Sequence, residues 1–130
     1  MMYFGEGKMM KMNKKYKEGQ KALAEYIDYM NQQNEYFKGV VDEYENCSDA
    51  SDSLETEYNL AVQFIKTWNI INNLRVNERN LILLHQMNNN DLGKTLEVFN
   101  DIGGDYKNKA TLATILCLIK KKIRNSYDND

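Results

Sequence analysis

The sequence contains no proline in 130 residues, and its seven glycines do not recur at the spacing of turns in a β-protein. Because proline interrupts helices more strongly than any other residue, a chain without it can form long helices joined by short polar segments. Apolar side chains recur at intervals of three and four residues, which is the spacing of amphipathic helices. The sequence therefore predicts an all-α fold.

The first part of the chain, residues 1–73, predicts two long helices that pair antiparallel as a helical hairpin. The first runs from about residue 13 to 45, contains Gly19 and Gly39, and has one polar seam position at Asn34. A polar loop over 46–53 follows, and Ser53 opens the second helix. The expected seam residues of the two helices are Leu23, Ile27, Met30, Phe37, Val41, Tyr44, Leu54, Tyr58, Ala61, Ile65, Trp68, Ile71 and Leu74.

The second part, residues 74–130, predicts three shorter helices. The third helix covers about 77–87 and ends at the three asparagines 88–90, and Asp91 caps a fourth helix that stops at Gly103-Gly104. The fifth covers about 108–125. The expected core side chains of these three helices are Leu81, Ile82, Leu84, Leu92, Leu96, Phe99, Leu112, Leu116, Ile119 and Ile123.

Charge is segregated along the chain, although the formal net charge is only −2. Residues 42–57 hold seven acidic side chains and no basic one, whereas residues 106–126 hold six basic side chains and no acidic one. Such runs often mark nothing more than a solvated helix face. A basic C-terminal helix also suits the binding of a polyanion.

The residue types that carry most enzyme chemistry are sparse. His85 is the single histidine, and Cys47 and Cys117 have no second cysteine or histidine at zinc-binding spacing. We interpret His85 as a packing or surface residue, and we predict no catalytic activity, cofactor or metal. No apolar run reaches the roughly 18 residues that a membrane span needs, and Met1–Met12 lacks the pattern of a secretory signal. We therefore expect a cytoplasmic protein.

Residues 74–125 carry spacings that resemble the C-terminal promoter-reading domain of sigma factors and of related phage or mobile-element regulators. The first is Leu74-Arg75-Val76-Asn77-Glu78-Arg79, followed by an apolar helix. The second is Asp91, which stands where that family caps the support helix of its helix-turn-helix, with Thr95, Leu96 and Phe99 where that helix buries its face. The third is Thr111-Leu112, with apolar residues at Leu116, Ile119 and Ile123 and a basic tail. The connection over 100–107 is longer than the family's turn, and residues 1–73 lack the pattern of a complete sigma factor.

The resemblance implies a helix-turn-helix domain and a DNA-binding transcriptional regulator that recognises duplex DNA through the fifth helix. RNA polymerase or another protein is a further expected partner, and the hairpin could also pair two copies of the chain. Arg79 is interpreted either as a phosphate contact or as a partner of Glu78 or Asp91. The full set of candidate DNA-binding residues is Arg79, Lys107, Asn108, Lys109, Thr111, Thr114, Lys120, Lys121, Lys122 and Arg124.

A second hypothesis is a non-enzymatic helical interaction protein, or accessory protein of a phage or mobile element. Ile115 and Leu118 are more apolar than DNA contact requires, so this flank of the fifth helix also suits a protein partner. The two hypotheses differ in what the structure should expose. The regulator needs Lys109, Thr111 and Thr114 in solvent, whereas the interaction protein would bury them or expose a broad apolar patch.

Overall fold

A computed structural model describes residues 6–48 and 51–129, with side chains from residue 14 onward. The part it describes forms five α-helices and no strand: α1 (Glu6–Glu45), α2 (Asp52–Asn72), α3 (Val76–Met87), α4 (Leu92–Asp101) and α5 (Lys109–Asp128). The predicted all-α class is confirmed. Residues 1–5 of the stretch considered for a targeting signal, and residues 49 and 50 of the predicted loop, lie outside the described residues.

The first two helices form the predicted antiparallel hairpin. Stacked rings join Tyr44 to Tyr58 with 4.1 Å between centroids, and Phe37 meets Phe64 at 4.9 Å. Further from the loop, the indole N–H of Trp68 donates to the amide oxygen of an asparagine on α1, Asn31, over 3.0 Å. Because each step back along α1 meets a later residue of α2, the two helices run in opposite directions.

Helix α1 continues through both glycines, and one of them has a packing role. A Cβ atom at Gly19 would collide with the Ile102 side chain, at the C-terminal end of α4. The absence of a side chain therefore lets α4 approach the backbone of α1 closely. Gly39 has open space around it, so no such requirement applies there.

The buried side of α1 differs from the predicted seam at one position. Val40 is buried and Val41 only partly so, whereas Leu23, Met30 and Asn34 are buried as their seam positions predict. Leu23 and Met30 belong to the core shared with α3, α4 and α5, but Val40 lies outside that core. The covered side of α1 therefore changes along its length, because near the loop only α2 remains to cover it.

The main core joins side chains from all five helices. Leu83, Leu84 and Leu112 have no exposed surface. The prediction for α3 was wrong at one position, since Leu83 is buried and Ile82 is only partly covered. In α4, Thr95 is fully buried, and Leu92 and Leu96 are half-covered. The complete set of buried core residues is Leu23, Met30, Trp68, Ile71, Leu74, Leu81, Leu83, Leu84, Phe99, Leu112, Leu116 and Ile119. The division into segments 1–73 and 74–130 stays a prediction.

Polar caps define where the shorter helices begin. Ser51, two residues before the predicted Ser53, caps α2 by accepting a bond from the Leu54 N–H at 3.2 Å. Asp91 caps α4 as predicted, with its carboxylate 3.0 Å from the backbone nitrogen of Lys94. Asn108 caps α5 in the same way. These bonds satisfy backbone N–H groups that have no partner within the helix.

Candidate nucleic-acid interface

The buried stripe of α5 fixes which of its residues reach solvent. Leu112, Leu116 and Ile119 face the core. Since successive residues of a helix are rotated by about 100°, the opposite line of α5 passes through Ala110, Thr114, Cys117, Lys121 and Asn125. All five are exposed. Two positions of the outward line near its start, Ala110 and Thr114, are small, so another surface can approach the helix backbone closely there.

The leading turn of α5 is exposed and well ordered by its cap. The Asn108 amide oxygen accepts the Thr111 backbone N–H at 2.9 Å, which leaves the amide NH₂ of Asn108 for other partners. Thr114 donates its hydroxyl to the Ala110 carbonyl at 3.0 Å, so only its oxygen lone pairs can serve a base edge. The exposure that the regulator hypothesis requires of Lys109, Thr111 and Thr114 is present.

Lys109 lies against the start of α4. A Cβ atom added to Gly93 would stand 3.1 Å from Lys109 Cε and 3.3 Å from its ammonium nitrogen. The backbone N–H of Lys94 bonds to Asp91 and is the largest cause that lowers the pKa of this carboxyl, to which the charge of Lys109 adds. Lys109 therefore lies near the Asp91 carboxylate, although the two form no ion pair within 4.0 Å.

The three consecutive lysines of α5 occupy different surroundings. Lys122 forms an ion pair of 3.0 Å with Glu78 on α3, and this bond is the main cause that lowers the pKa of Glu78. Within the described part of the chain, Lys120 and Lys121 have no carboxylate within 4.0 Å, and the same holds for Lys107 and Arg124. Four of the candidate cations are therefore available to an external anion.

Arg79 does not take part in either ion pair considered for it. Its guanidinium donates to the neighbouring Asn80 amide oxygen at 3.3 and 3.2 Å, and the side chain is half-buried on α3. Glu78 pairs with Lys122 instead. Arg79 is therefore separate from the exposed cations of α5.

The connection before α5 is longer than a helix-turn-helix turn, but it is held by specific bonds. The Asn100 side chain donates to the Tyr106 carbonyl at 2.8 Å and accepts its backbone N–H at 3.1 Å. The Tyr106 ring stacks on Phe99, with centroids 5.5 Å apart. Gly103 adopts φ +111°, and a side chain on Gly104 would collide with the Phe99 ring. These contacts fix the direction in which the chain enters α5.

His85 is the residue whose surroundings sequence reasoning missed. Its side chain is 4% exposed, and its Nδ1 lies 3.1 Å from the hydroxyl of Thr95, itself fully buried. That hydroxyl also lies 2.7 Å from the Asp91 backbone carbonyl. Burial is the main cause that lowers the pKa of His85, and Lys120 lowers it further while Asp91 opposes the shift. His85 is therefore neutral near pH 7.

An open cavity of about 620 Å³ adjoins His85. It lies between the end of α3, the start of α4 and one flank of α5. Its polar wall includes His85, Asn90, Lys120, Lys121 and Arg124, and Leu92, Ala113 and Leu116 supply an apolar side. Three exposed cations and one buried imidazole therefore line the same cavity.

Comparisons of the chain with protein-family models, with curated proteins and with solved structures find no match. In the part of the chain that the structure describes, no three His, Cys, Asp or Glu side chains cluster closely enough to hold a metal ion. No helix over those residues combines the length and the apolar character needed to cross a membrane.

Proposed function

We propose that this protein is a non-enzymatic, DNA-binding transcriptional regulator that contacts duplex DNA through α5. The observation that carries the proposal is the exposed surface of this helix, which holds no acidic side chain from Lys109 to Tyr127. Its leading turn presents short polar side chains at Asn108, Thr111 and Thr114, and its later turns present cations without carboxylate partners. A helix of this kind fits the major groove, with short polar groups near base edges and longer cations near phosphates.

The ion pairs refine which residues contact the DNA backbone. Lys107, Lys120, Lys121 and Arg124 are the cations available for phosphates, whereas Lys122 already pairs with Glu78. Four phosphate contacts correspond to a slope of log affinity against log salt concentration of about −3 to −4. The expected binding is therefore strongly salt-dependent.

The test is fluorescence anisotropy of a labelled duplex over a series of salt concentrations. Replacing Lys120, Lys121 and Arg124 together with alanine should weaken binding to every duplex alike and flatten the slope by about 3. Lys122→Ala is the matched control, since it removes one charge from the same helix but from a paired position, and it should change the slope less than one-third as much as the triple variant. Thr114→Ala or Lys109→Ala should cost about 1 to 3 kcal/mol mainly on a preferred site.

Absence of duplex binding at low salt by the folded full-length chain would contradict the proposal. A slope change in Lys122→Ala of one-third or more of that in the triple variant would contradict the assignment of the contact surface, because attraction to net charge alone makes every removed cation count equally.

A helical interaction protein is the second candidate, and exposed apolar side chains favour it. Leu118 is 62% exposed on α5, and Tyr29 and Tyr36 are 54% and 57% exposed on α1. The two tyrosines are seven residues apart and so lie on one side of the helix. Leu118 is the sole large apolar side chain so exposed in the described part of α5, which makes a single contact point and not a broad patch. RNA polymerase or another protein docking on α1 is compatible with DNA binding by α5.

A further inference from the structure

The hydrogen bonds around His85 fix the form of its neutral ring. The Thr95 hydroxyl has one hydrogen, and the Asp91 carbonyl at 2.7 Å can only accept, so Thr95 donates there. The remaining bond, from His85 Nδ1 to the same hydroxyl oxygen at 3.1 Å, must then be donated by the imidazole. The neutral ring therefore carries its proton on Nδ1 and leaves the lone pair of Nε2 without a partner among the described residues.

The unpartnered edge of this ring adjoins the cavity. His85 is 96% buried, yet it lines the cavity together with Lys120, Lys121 and Arg124. Nε2 is not among the fully enclosed polar atoms that lack a hydrogen-bond partner, so it is open to the cavity. Lys120 disfavours a positive charge on the ring. An anionic ligand in the cavity would offset that repulsion and could also bond to Nε2.

We propose that this cavity binds a phosphate monoester. The phosphate group would lie between the lysine and arginine side chains and Nε2, and the organic part would lie against Leu92, Ala113 and Leu116. The site shares Lys120, Lys121 and Arg124 with the proposed DNA-binding surface, so an occupied cavity would compete with DNA for these side chains.

Proton chemistry favours a phosphate monoester over a sulfate or a carboxylate. A phosphate monoester loses its second proton near pH 6, so about a tenth of it still carries a P–O–H group at pH 7, and this form can donate to Nε2. If the proton passes to Nε2, the same pair becomes an imidazolium and a phosphate dianion, and no proton is taken from solvent. A sulfate ester carries no proton at this pH, so it gains a bond to Nε2 only when the ring has been protonated from solvent.

The charges that face His85 determine how its protonation responds to the ligand. Lys120 on α5 disfavours the imidazolium, Asp91 before α4 favours it, and the cavity adds Lys121 and Arg124. Thr95 is uncharged. An anion beside these cations offsets their effect on the ring, so binding should raise the pKa of His85.

Because the chain has a single histidine, the pKa of His85 can be measured without ambiguity. Proton NMR of the imidazole would follow the pKa of His85 in the full chain at physiological salt, alone and with phenyl phosphate, inorganic phosphate or phenyl sulfate. We expect phenyl phosphate to raise the pKa, to bind more tightly than inorganic phosphate, and to bind more tightly than phenyl sulfate at neutral pH.

Variants on the two flanks of α5 test where the ligand lies. Lys120→Ala and Arg124→Ala change exposed side chains, so the fold should survive, and each should weaken phenyl phosphate binding about tenfold. Lys122→Ala, which lies outside the cavity, should bind normally. An unchanged histidine signal at saturating phenyl phosphate would overturn the proposal, and so would equal weakening by Lys122→Ala. The assay contains no DNA, so its outcome is separate from that of the duplex-binding test.

Discussion

The two ends of this helical protein differ in packing and in charge. At the hairpin tip, which we define as α1 from Asn34 onward and α2 up to Phe64, two helices cover each other with half-buried aromatic rings. At the bundle end, where α3, α4 and α5 pack on α1 and α2, Leu83, Leu84 and Leu112 are completely enclosed. The tip includes most of the acidic run, and the bundle end presents the basic helix α5.

The bundle end holds the fold together, whereas the hairpin tip mainly adds length to it. Side chains enclosed on all sides contribute most to stability, and they cluster at the bundle end. Two helices that cover only each other leave one side of each in water. The bundle end therefore supports both the core and the candidate binding surface, whereas the tip should tolerate substitution more readily.

The largest expected effect is the loss of a fully buried leucine. Leu112→Ala should lower the free energy of unfolding by about 2 to 5 kcal/mol, because it leaves a cavity in the core. Leu54→Ala makes the same chemical change at the half-buried tip, and we expect it to cost about 1 kcal/mol or less. Urea denaturation of both variants measures the difference. Equal losses of unfolding free energy in the two variants would show that the two ends contribute alike to stability.

A smaller effect of the opposite sign is expected at the tip. Asn34 is 8% exposed, and its amide oxygen is enclosed without a hydrogen-bond partner among the described residues. Asn34→Leu keeps the branched shape of the side chain and removes this unsatisfied atom, so it should raise the free energy of unfolding by about 1 kcal/mol. Asn31→Leu is a matched control that should be destabilising, since Asn31 accepts the Trp68 indole N–H. A destabilised Asn34→Leu variant would indicate that the amide has a partner in solution.

The buried histidine at the bundle end predicts a pH dependence of stability. Burial and Lys120 hold the pKa of His85 below its ordinary value of 6.5. Because the unfolded chain then binds the proton more tightly, this stabilisation is fully present above pH 6.5 and is lost as the pH falls towards the pKa of the folded state. Urea denaturation on both sides of pH 6.5 should show the decline. In His85→Gln the decline should be absent, and an unchanged decline would assign it to other groups.

The smallest effect is expected for the ion pair between Lys122 and Glu78. Both side chains reach solvent, so Lys122→Ala should change the free energy of unfolding by less than about 1 kcal/mol. Glu78 also accepts the Arg75 backbone N–H at 3.2 Å, so Glu78→Gln retains an acceptor for that bond while losing its charge. Thermal denaturation of the two variants should agree closely. A large loss of thermal stability in either variant would mean that the ion pair is important for the packing of α3 on α5.

The sequence predicted the helices well because their signals are local. Apolar spacing, the polar loop and the cap at Asp91 each depend on a few neighbouring residues. The errors occurred where tertiary contacts decide. Val40 is buried in place of Val41 because the helices that cover α1 change along its length. The close approach of Ile102 to Gly19 likewise has no signal in the spacing of α1.

The candidate interface was predictable as a set of residue types but not as an arrangement. The basic run of α5 is visible in the sequence, yet its lysines differ in ways that depend on the partner helix, since Glu78 on α3 neutralises Lys122 and leaves Lys120 unpaired. The position of His85 beside Thr95 and the cavity requires α3, α4 and α5 to be assembled. No spacing within one helix indicates that juxtaposition.

The most direct test of the proposed function is a map of the amide NMR signals that shift when a short duplex is added at low salt to the full, isotope-labelled chain. Binding through α5 predicts that the shifts concentrate between Lys107 and Asn125, with the signals of the hairpin tip unchanged. The acidic tip repels phosphates, so it also serves as an internal control. Shifts confined to α1 and α2, or no shifts at any duplex concentration, would contradict the account.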